Sequence, residues 1–406
     1  MKFHEKGWFC LKFKFIAPFK TEFSIHTFKV LSNVETYSMF WGIVKGRLLE
    51  RYHDVDFLHH INQSDHQKFT VITEDANTLS AEVLHIKEGH LKPFFQQALR
   101  KLGKKKGLCP VLQGAAYLCS SCKIYDNNIG ILELDIETSF ANDTLMDRVE
   151  ELQIFSNELM EYTLQELYRD FLKHLFAEIH KIDKGWNYIK NIDLRSTKRP
   201  IILWVNRSLY ISKTEPELES IAENWLSISN HTVEKITTEL NEQGIYLGWG
   251  HNLIYHDTHV DKIRQAVEAI HLCQYFNAVL ENFNTELTKL IGESFLSNKV
   301  NKKTKDLSRK LNDMLSITKL LLIQLNEAKF NLQDYKQYYF LDLVEKWKIE
   351  KIRITLEEKM MFCQEKIQEI YQRQSKRNQF IMEIILFSIG GIALVEFFTN
   401  ISQFAF

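Results

Sequence analysis

The amino-acid sequence predicts an α+β amino-terminal part, a mixed sheet with helices, followed by long coiled-coil-like helices and one carboxy-terminal transmembrane helix. Three observations lead to this fold class. Near the amino terminus apolar residues alternate with polar ones, which is the period of a half-buried strand. No proline follows Pro216, so long uninterrupted helices are permitted in the rest of the chain. An apolar run from Phe380 to Phe398 lies close to the carboxy terminus.

The amino-terminal part reads as strands joined by short helices. The first strand is predicted from Phe9, Leu11, Phe13 and Phe15, which alternate with Cys10, Lys12 and Lys14. Further strands are predicted at 68–73, 82–87, 115–119, 199–205 and 245–256, and a hairpin is predicted to turn at Asp126–Asn128. Helices are predicted at 38–52, 93–102 and 217–242, and a long amphipathic helix from Leu145 to Phe171.

The second half reads as helical from Thr258 onward. A 4-3 alternation typical of coiled coils is formed by Leu307, Leu311, Met314, Thr318, Leu321 and Leu325. Trp347, Ile354 and Met361 then recur seven apart, and a helix from 334 to 398 would be about 95 Å long. We therefore predict an α/β domain over 1–257, with a split near 140 as an alternative. A helical stalk over 258–378 and an anchor over 379–406 complete the predicted organisation.

The apolar run near the end decides between a membrane anchor and a buried helix. Its 19 residues span about 28 Å of helix, close to the roughly 30 Å of a bilayer's hydrocarbon core. The predicted membrane-span residues are Phe380, Glu383, Ser388, Gly390, Gly391, Glu396 and Phe398. The uncharged centre, 384–395, has the length of a buried helix, so a buried helix or an oligomer interface is the alternative. The two glycines favour close helix contact or are simply tolerated in lipid.

Charge and cysteine usage bear on location. Arg373, Lys376 and Arg377 precede the apolar run and no lysine or arginine follows it, which predicts a single-pass protein of the cell inner membrane with a cytoplasmic amino-terminal domain. The first residues lack a continuous apolar core, so no signal peptide is expected. The six scattered cysteines favour a reducing compartment. The net charge of −1 gives no reason to expect nucleic acid as a partner.

Two resemblances follow from this organisation. The order of an α/β domain, long stalk helices and a terminal membrane segment resembles that of CorA-type divalent-cation channels, although the chain has one candidate span and no Gly-Met-Asn motif. The segment KIQEIYQRQSKRNQFIMEIILFSIGGIALVEFF is similar to the carboxy terminus of the "required for meiotic nuclear division" family. That resemblance implies a single-pass, oligomeric, non-enzymatic membrane protein with Glu383 and Glu396 near the ends of its anchor.

A few polar clusters are candidates for chemistry. Glu133, Asp135 and Glu137 alternate along one strand, so their carboxylates point to one side and could bind a divalent cation; a solvated strand face is the alternative. The pair Cys119 and Cys122 is open to zinc binding or to a purely structural role. The segment GWGHN, residues 248–252, is not a phosphate loop. No phosphate-loop, nucleophile-elbow or dinucleotide fingerprint occurs, so no enzyme, no catalytic residue and no other cofactor is predicted.

These observations predict a membrane-anchored homo-oligomer with a cytoplasmic sensing or scaffolding domain, acting as a CorA-like ion channel or a pore-forming effector. A protein partner or a small ligand could bind the cytoplasmic domain. The alternative function is a soluble or peripheral interaction scaffold whose apolar carboxy-terminal helix packs against a partner.

Overall fold

The computed structural model describes residues 8–25, 33–57, 82–104, 115–141, 149–190, 200–211, 225, 233–296 and 302–404. Its strands are β1 (Trp8–Ser24), β2 (Val55–Phe57), β3 (Glu82–Ile86), β4 (Ala116–Tyr125), β5 (Asn127–Ala141), β6 (Ile201–Ile202), β7 (Asn206–Ile211), β8 (Ile245–Leu247) and β9 (His251–Tyr255).

The helices form two groups along the chain. The first group is α1 (Val34–Leu48), α2 (Glu88–Gly103), α3 (Val149–Leu167), which runs through a π-helical turn (Tyr168–Leu172) into α4 (Lys173–Asp183), and α5 (Val233–Gln243). The second group is α6 (Val260–Leu296), α7 (Lys302–Asn331), α8 (Asp334–Lys346) and α9 (Ile349–Phe404).

The described strands form one mixed sheet in the order β2-β3-β4-β5-β1-β7-β9-β8, with β6 also paired to β1. Neighbouring strands are antiparallel except β7 and β9, which are parallel. The long strands β1 and β5 lie at its centre, with Phe13 opposite Ile136. The predicted first strand and mixed sheet are therefore confirmed, and the predicted hairpin turns where Asn128 takes a positive φ of 64°.

The two faces of the sheet are covered by different helices. On one face, alternate residues of β1 such as Phe13 and Phe15 join a core cluster with residues of α1 to α4. On the other face lie Lys12 and Lys14, and α6 packs there through its first half. Gln274 of α6 donates a hydrogen bond to the carbonyl oxygen of Ile16 at 2.9 Å. The strict alternation of β1 thus separates an aromatic core from a polar, helix-covered layer.

The strand predicted at 199–205 is displaced in the structure. Beyond the two residues of β6, the strand that pairs with the sheet is β7, which carries polar side chains that are fully buried. Asn252 of β9 donates to Asn206 at 2.6 Å and to Ser208 at 2.9 Å. This buried amide ladder replaces the apolar alternation, so a search for apolar periodicity misses it.

Several other predicted elements can be compared directly. Strands at 82–87 and 115–119 correspond to β3 and the start of β4, and the region 245–256 is two strands, β8 and β9, rather than one. The helices predicted at 38–52 and 93–102 begin earlier, in α1 and α2. The strand predicted at 68–73 lies outside the described residues, as does most of the helix predicted at 217–242, of which α5 is the described end.

The chain divides into two compact units. The first comprises Met1–Val279 and Ile323–Glu350, and the second comprises Leu280–Leu322 and Lys351–Phe406. Within the second unit, Lys359 donates to the Thr288 hydroxyl at 2.6 Å and to the amide oxygen of Asn284. The boundaries predicted from the sequence at 257 and 378 stay predictions about domain organisation.

The predicted uninterrupted helix from 334 to 398 is wrong. It is broken between α8 and α9, where Lys348 takes a positive φ of 56°. Trp347, at the break, is buried and donates from its indole Nε1 to the carbonyl oxygen of Gly248 at 3.1 Å. A left-handed conformation costs a non-glycine residue roughly 1–2 kcal/mol, which is small beside the burial of an indole ring.

The predicted seven-residue spacing of Trp347, Ile354 and Met361 does not mark the buried side of α9. Ile354 and Met361 are exposed, whereas Leu356, Met360, Cys363 and Ile367 are the buried positions of this helix. The 4-3 series predicted in α7 is buried at Leu307, Leu311, Thr318, Leu321 and Leu325, as expected.

The prediction of a transmembrane helix is contradicted. Among the residues that the structure describes, no helix is both long and apolar enough to cross a membrane. The uncharged residues between Glu383 and Glu396, 384–395, make only about 18 Å of helix against roughly 30 Å of hydrocarbon. This finding corrects the transmembrane part of the predicted fold class. It also corrects the predicted single-pass inner-membrane location and the membrane and ion-transport assignments.

Candidate functional site

The residues predicted as a membrane span all lie in α9. Phe387 is 85% exposed and Leu386 is 63% exposed, and their apolar neighbours from Phe380 to Val395 whose side chains are described are also exposed. The Ser388 hydroxyl donates back to the carbonyl oxygen of Ile384 at 2.8 Å, which satisfies it within the helix. Gly390 and Gly391 have open space beside them. Glu396 and Phe398 lie in the helix, with side chains outside the described set.

The basic residues before this segment are exposed on the same helix. Arg373 pairs with Glu369 one turn earlier, so it forms a local ion pair. Lys376 and Arg377 are exposed as well. The carboxylate of Glu383 accepts a long hydrogen bond from Gln379 at 3.4 Å. The helix thus continues unbroken from a polar stretch, whose side chains pair locally, into the apolar segment that begins at Phe380.

The predicted carboxylate cluster on β5 is brought into a buried charge network. The Lys14 ammonium lies between two of its members, 2.8 Å from Asp135 and in contact with Glu133. Glu137, the third member, is exposed. Lys12 approaches Asp135 from the rim at 3.4 Å. Two carboxylates and two ammonium groups therefore balance one another on the polar face of the sheet.

His271 connects this network to α6. Its Nε2 lies 3.0 Å from the second carboxylate oxygen of Glu133, which also accepts a hydrogen bond from the Ser121 hydroxyl at 3.1 Å. Because a carboxylate only accepts, Nε2 carries the proton in this contact. The carboxylate of Glu133 is thus hydrogen-bonded by groups from β1, β4 and α6.

The ionisation states in the network follow from burial and pairing. Burial alone would raise the pKa of Glu133, but the Lys14 ammonium and the His271 hydrogen bond hold it well below its ordinary value. Burial alone would lower the pKa of Lys14, but the two carboxylates raise it above its ordinary value. Both groups are therefore charged at neutral pH.

The same network bears on the predicted divalent-cation site. Lys14 supplies Glu133 and Asp135 with the positive charge that a bound cation would otherwise supply. In the described part of the chain, no group of three or more histidine, cysteine, aspartate or glutamate side chains is arranged to hold a metal ion. The cation site at Glu133, Asp135 and Glu137 stays a prediction from the sequence.

The cysteine pair does not converge in space. Cys119 lies opposite Asp135 on β5 and Cys122 lies opposite Leu132, so the two thiols point to opposite faces of the sheet. Burial raises the pKa of the Cys119 thiol to about 11, and it raises that of Cys122 further. Both sulfurs are thiols rather than thiolates at neutral pH, as expected of structural cysteines.

A cleft of about 550 Å³ lies in the first unit, and no residue that forms it was predicted as a site. Its walls come from α3, the segment 200–205, Arg207 of β7 and the turn between β8 and β9. That turn belongs to the GWGHN segment and brings Trp249, Gly250 and His251 to the cleft, with Gly250 at a φ of 80°. Glycine adopts a positive φ of this kind without the steric cost that a Cβ atom brings.

Arg207 is the only arginine or lysine among the described residues that line this cleft. Its Nε donates to the Ser156 hydroxyl at 2.6 Å and its Nη1 to the carbonyl oxygen of Val205 at 2.8 Å. Its Nη2 donates to Asn157 Oδ1 at 2.7 Å and to the carbonyl oxygen of Gln153 at 3.3 Å. All four acceptors are neutral, and burial lowers the pKa of Arg207 to about 10.

His251 lies beside Arg207 and remains neutral. Burial, together with the charge of Arg207, lowers the pKa of His251 to about 3. Its Nε2 lies 3.3 Å from the side-chain nitrogen of Gln153, and its ring packs edge-on against the indole of Trp225 at 5.1 Å. One buried positive charge and one neutral imidazole thus lie on the same side of the cleft.

Comparison with known proteins gives no relative from which a role could be carried over: no protein family, curated protein or solved structure matches this chain. The resemblances to CorA-type channels and to the "required for meiotic nuclear division" family stay predictions. The GWGHN segment was the one sequence signal near the cleft, and it is uninformative by itself because its partners, Asn157 and Arg207, are distant in sequence.

Proposed function

We propose that this protein is a non-enzymatic interaction scaffold whose carboxy-terminal helix associates with other copies of the chain through the apolar segment 380–395. The observation that carries the proposal is the exposure of this segment, in which Phe387 is 85% exposed. Each leucine, isoleucine or phenylalanine side chain that becomes fully buried contributes about 1.5–3 kcal/mol, so ten exposed apolar residues favour association strongly. Exposed apolar patches of this kind mark interaction sites in folded proteins.

A second copy of the helix is the partner that best fits the segment. Successive helical residues point about 100° apart, so the exposed run from Ile384 to Phe387 presents apolar side chains on every side. A single flat surface would cover one side only, whereas in a symmetric bundle each helix is covered by the neighbouring helices on either side of it. Gly390 and Gly391, which have open space around them, allow neighbouring helices to approach closely.

The absence of a catalytic motif in the sequence supports a role without an enzymatic reaction. The buried charge network supports the same view, because its carboxylates and ammonium groups satisfy one another beneath α6 rather than facing a cleft.

The experiment is sedimentation velocity of the full chain over a range of concentrations, comparing wild type with the double variant Leu386→Lys/Phe387→Lys. Lysine is a good helix former, so the variant keeps α9 helical while opposing its burial. The matched control is Phe330→Lys, because Phe330 is 78% exposed on α7 and lies outside the segment.

We expect wild type and the control to sediment as oligomers and the double variant to shift to the monomer. A wild-type chain that stays monomeric at every concentration would exclude a second copy as the occupant. A double variant that still forms the wild-type oligomer would place the contact elsewhere in the chain.

A further inference from the structure

We propose that the cleft beside Arg207 binds a small organic anion, a molecule with one carboxylate or phosphate group on an apolar or aromatic body. This proposal concerns the first unit and is independent of the association through α9.

Arg207 places a buried positive charge at the cleft. The side chain is buried, with the residue only 6% exposed, yet all of its described hydrogen-bond acceptors are neutral. A buried cation is costly unless an anion compensates it. The carboxylate pairing that Lys14 has on the same sheet is absent here among the described residues. An anion bound in the cleft would supply the negative charge that pairs with Arg207.

The guanidinium of Arg207 can be reached from the cleft. Asn157 is exposed and lines the cleft together with Arg207, so the Nη2 end of the guanidinium lies at the cleft wall. A guanidinium has five N–H donors, and the described acceptors use four of them. The unused donor belongs to Nη1, so at Nη2 an anionic oxygen would displace the neutral amide oxygen of Asn157. Charged acceptors form stronger bonds to arginine than neutral ones do, which favours this exchange.

The cleft also offers apolar side chains to the body of the ligand. Trp249 is 55% exposed at the cleft, and Pro200, Ile201 and Trp204 extend the apolar wall. A cleft of about 550 Å³ lies within the range of small-molecule sites, roughly 300–1,000 Å³. An aromatic or aliphatic group would pack on these side chains while the anionic group contacts Arg207.

The other titratable side chains of the cleft limit the charge of the ligand. His251 is neutral, so it adds no second positive charge. Glu161 also lines the cleft and is exposed, and its carboxylate accepts a hydrogen bond from Gln165 at 3.2 Å. A ligand with several negative charges would be repelled by Glu161, whereas a single anionic group matches the single arginine.

The experiment is isothermal titration calorimetry of the full chain with three probes: benzoate, its neutral counterpart benzamide, and inorganic phosphate. We expect benzoate to bind at least tenfold more tightly than benzamide, and its affinity to fall as salt is raised. Inorganic phosphate should bind more weakly than benzoate because it cannot use the apolar wall. Equal binding of benzoate and benzamide, or no binding of any probe, would overturn the proposal.

Two variants separate the charge from the apolar wall. Arg207→Met should abolish the preference for benzoate over benzamide. Trp249→Ala should weaken benzoate several-fold and leave phosphate unchanged, and it tests the site independently if the Arg207 variant does not fold. The matched control is Phe330→Ala, which removes an exposed aromatic ring away from the cleft and should leave all three affinities unchanged. A Trp249 variant that binds benzoate as wild type does would contradict the assigned wall.

Discussion

The ammonium of Lys14 lies 2.8 Å from the carboxylate of Asp135, and the two side chains join β1 to β5 at the centre of the sheet. Both are almost fully buried, and Glu133 and His271 complete the network. The pair therefore lies where water cannot replace a lost partner.

Replacing Lys14 by methionine is expected to destabilise the fold strongly. The variant would remove the buried ammonium that lies between Glu133 and Asp135, and breaking a buried pair costs about 3–5 kcal/mol. Urea unfolding at neutral pH measures the loss. Lys12→Met is the control: its side chain is 36% exposed, so the expected cost is below about 1 kcal/mol. Equal losses of unfolding free energy in the two variants would contradict the prediction that the buried lysine contributes more than the exposed one.

Stability should fall in acid in a way that depends on Glu133. Its pKa in the folded protein lies well below the ordinary value of 4.5, so the unfolded chain binds a proton that the folded chain does not. The contribution is complete above that ordinary value and is lost as pH falls through the depressed pKa. The groups that face this carboxylate are Lys14, His271 and Ser121.

Urea unfolding between pH 7 and pH 3 measures this dependence. Glu133→Gln should lose less stability over that range than wild type, although it is less stable at pH 7. Glu137→Gln changes an exposed carboxylate and should follow the wild-type curve. If the free energy of unfolding of the Glu133 variant falls with pH as steeply as that of wild type, other carboxylates govern the loss of stability in acid.

Gly130 is expected to tolerate no side chain. It lies opposite Phe19 across β1 and β5, and an added Cβ would approach the ring of Phe19 to 2.3 Å. Overpacking of this kind costs about 1–3 kcal/mol, so Gly130→Ala should lower the melting temperature. In contrast, a Cβ added at Gly42 of α1 would meet no atom within 4 Å, and Gly42→Ala should stabilise by up to about 1 kcal/mol. Thermal unfolding followed by circular dichroism compares the two, and a neutral Gly130 variant would contradict the close packing.

The strands that could be predicted are those whose burial follows a simple period. β1 alternates aromatic and basic residues, and the structure places them on opposite faces of the sheet. β7 could not be predicted in the same way, because Asn206 and Ser208 are buried through hydrogen bonds to Asn252 rather than through apolar contact. Polar burial depends on a partner distant in sequence, which no local pattern records.

The alternation of Glu133, Asp135 and Glu137 predicts that their carboxylates share one side of β5, but it does not predict the lysine that pairs with Glu133 and Asp135. Lys14 lies 119 residues away from Glu133, and only strand pairing brings the two together. Arg207 was not singled out at all, since a lone arginine between strand residues carries no signal until its acceptors and the cleft around it are known.

By itself, the sequence determined the mixed sheet of the amino-terminal part, the helical second half and the apolar segment in the last helix. These features are local, because they follow from the period of apolar residues and from the distribution of proline. Only the tertiary structure decided where the long helix breaks, which carboxylates are paired and where the cleft lies. Each of these depends on contacts between residues far apart in the chain, such as Trp347 with Gly248, and on the cost of burying a charge without a partner.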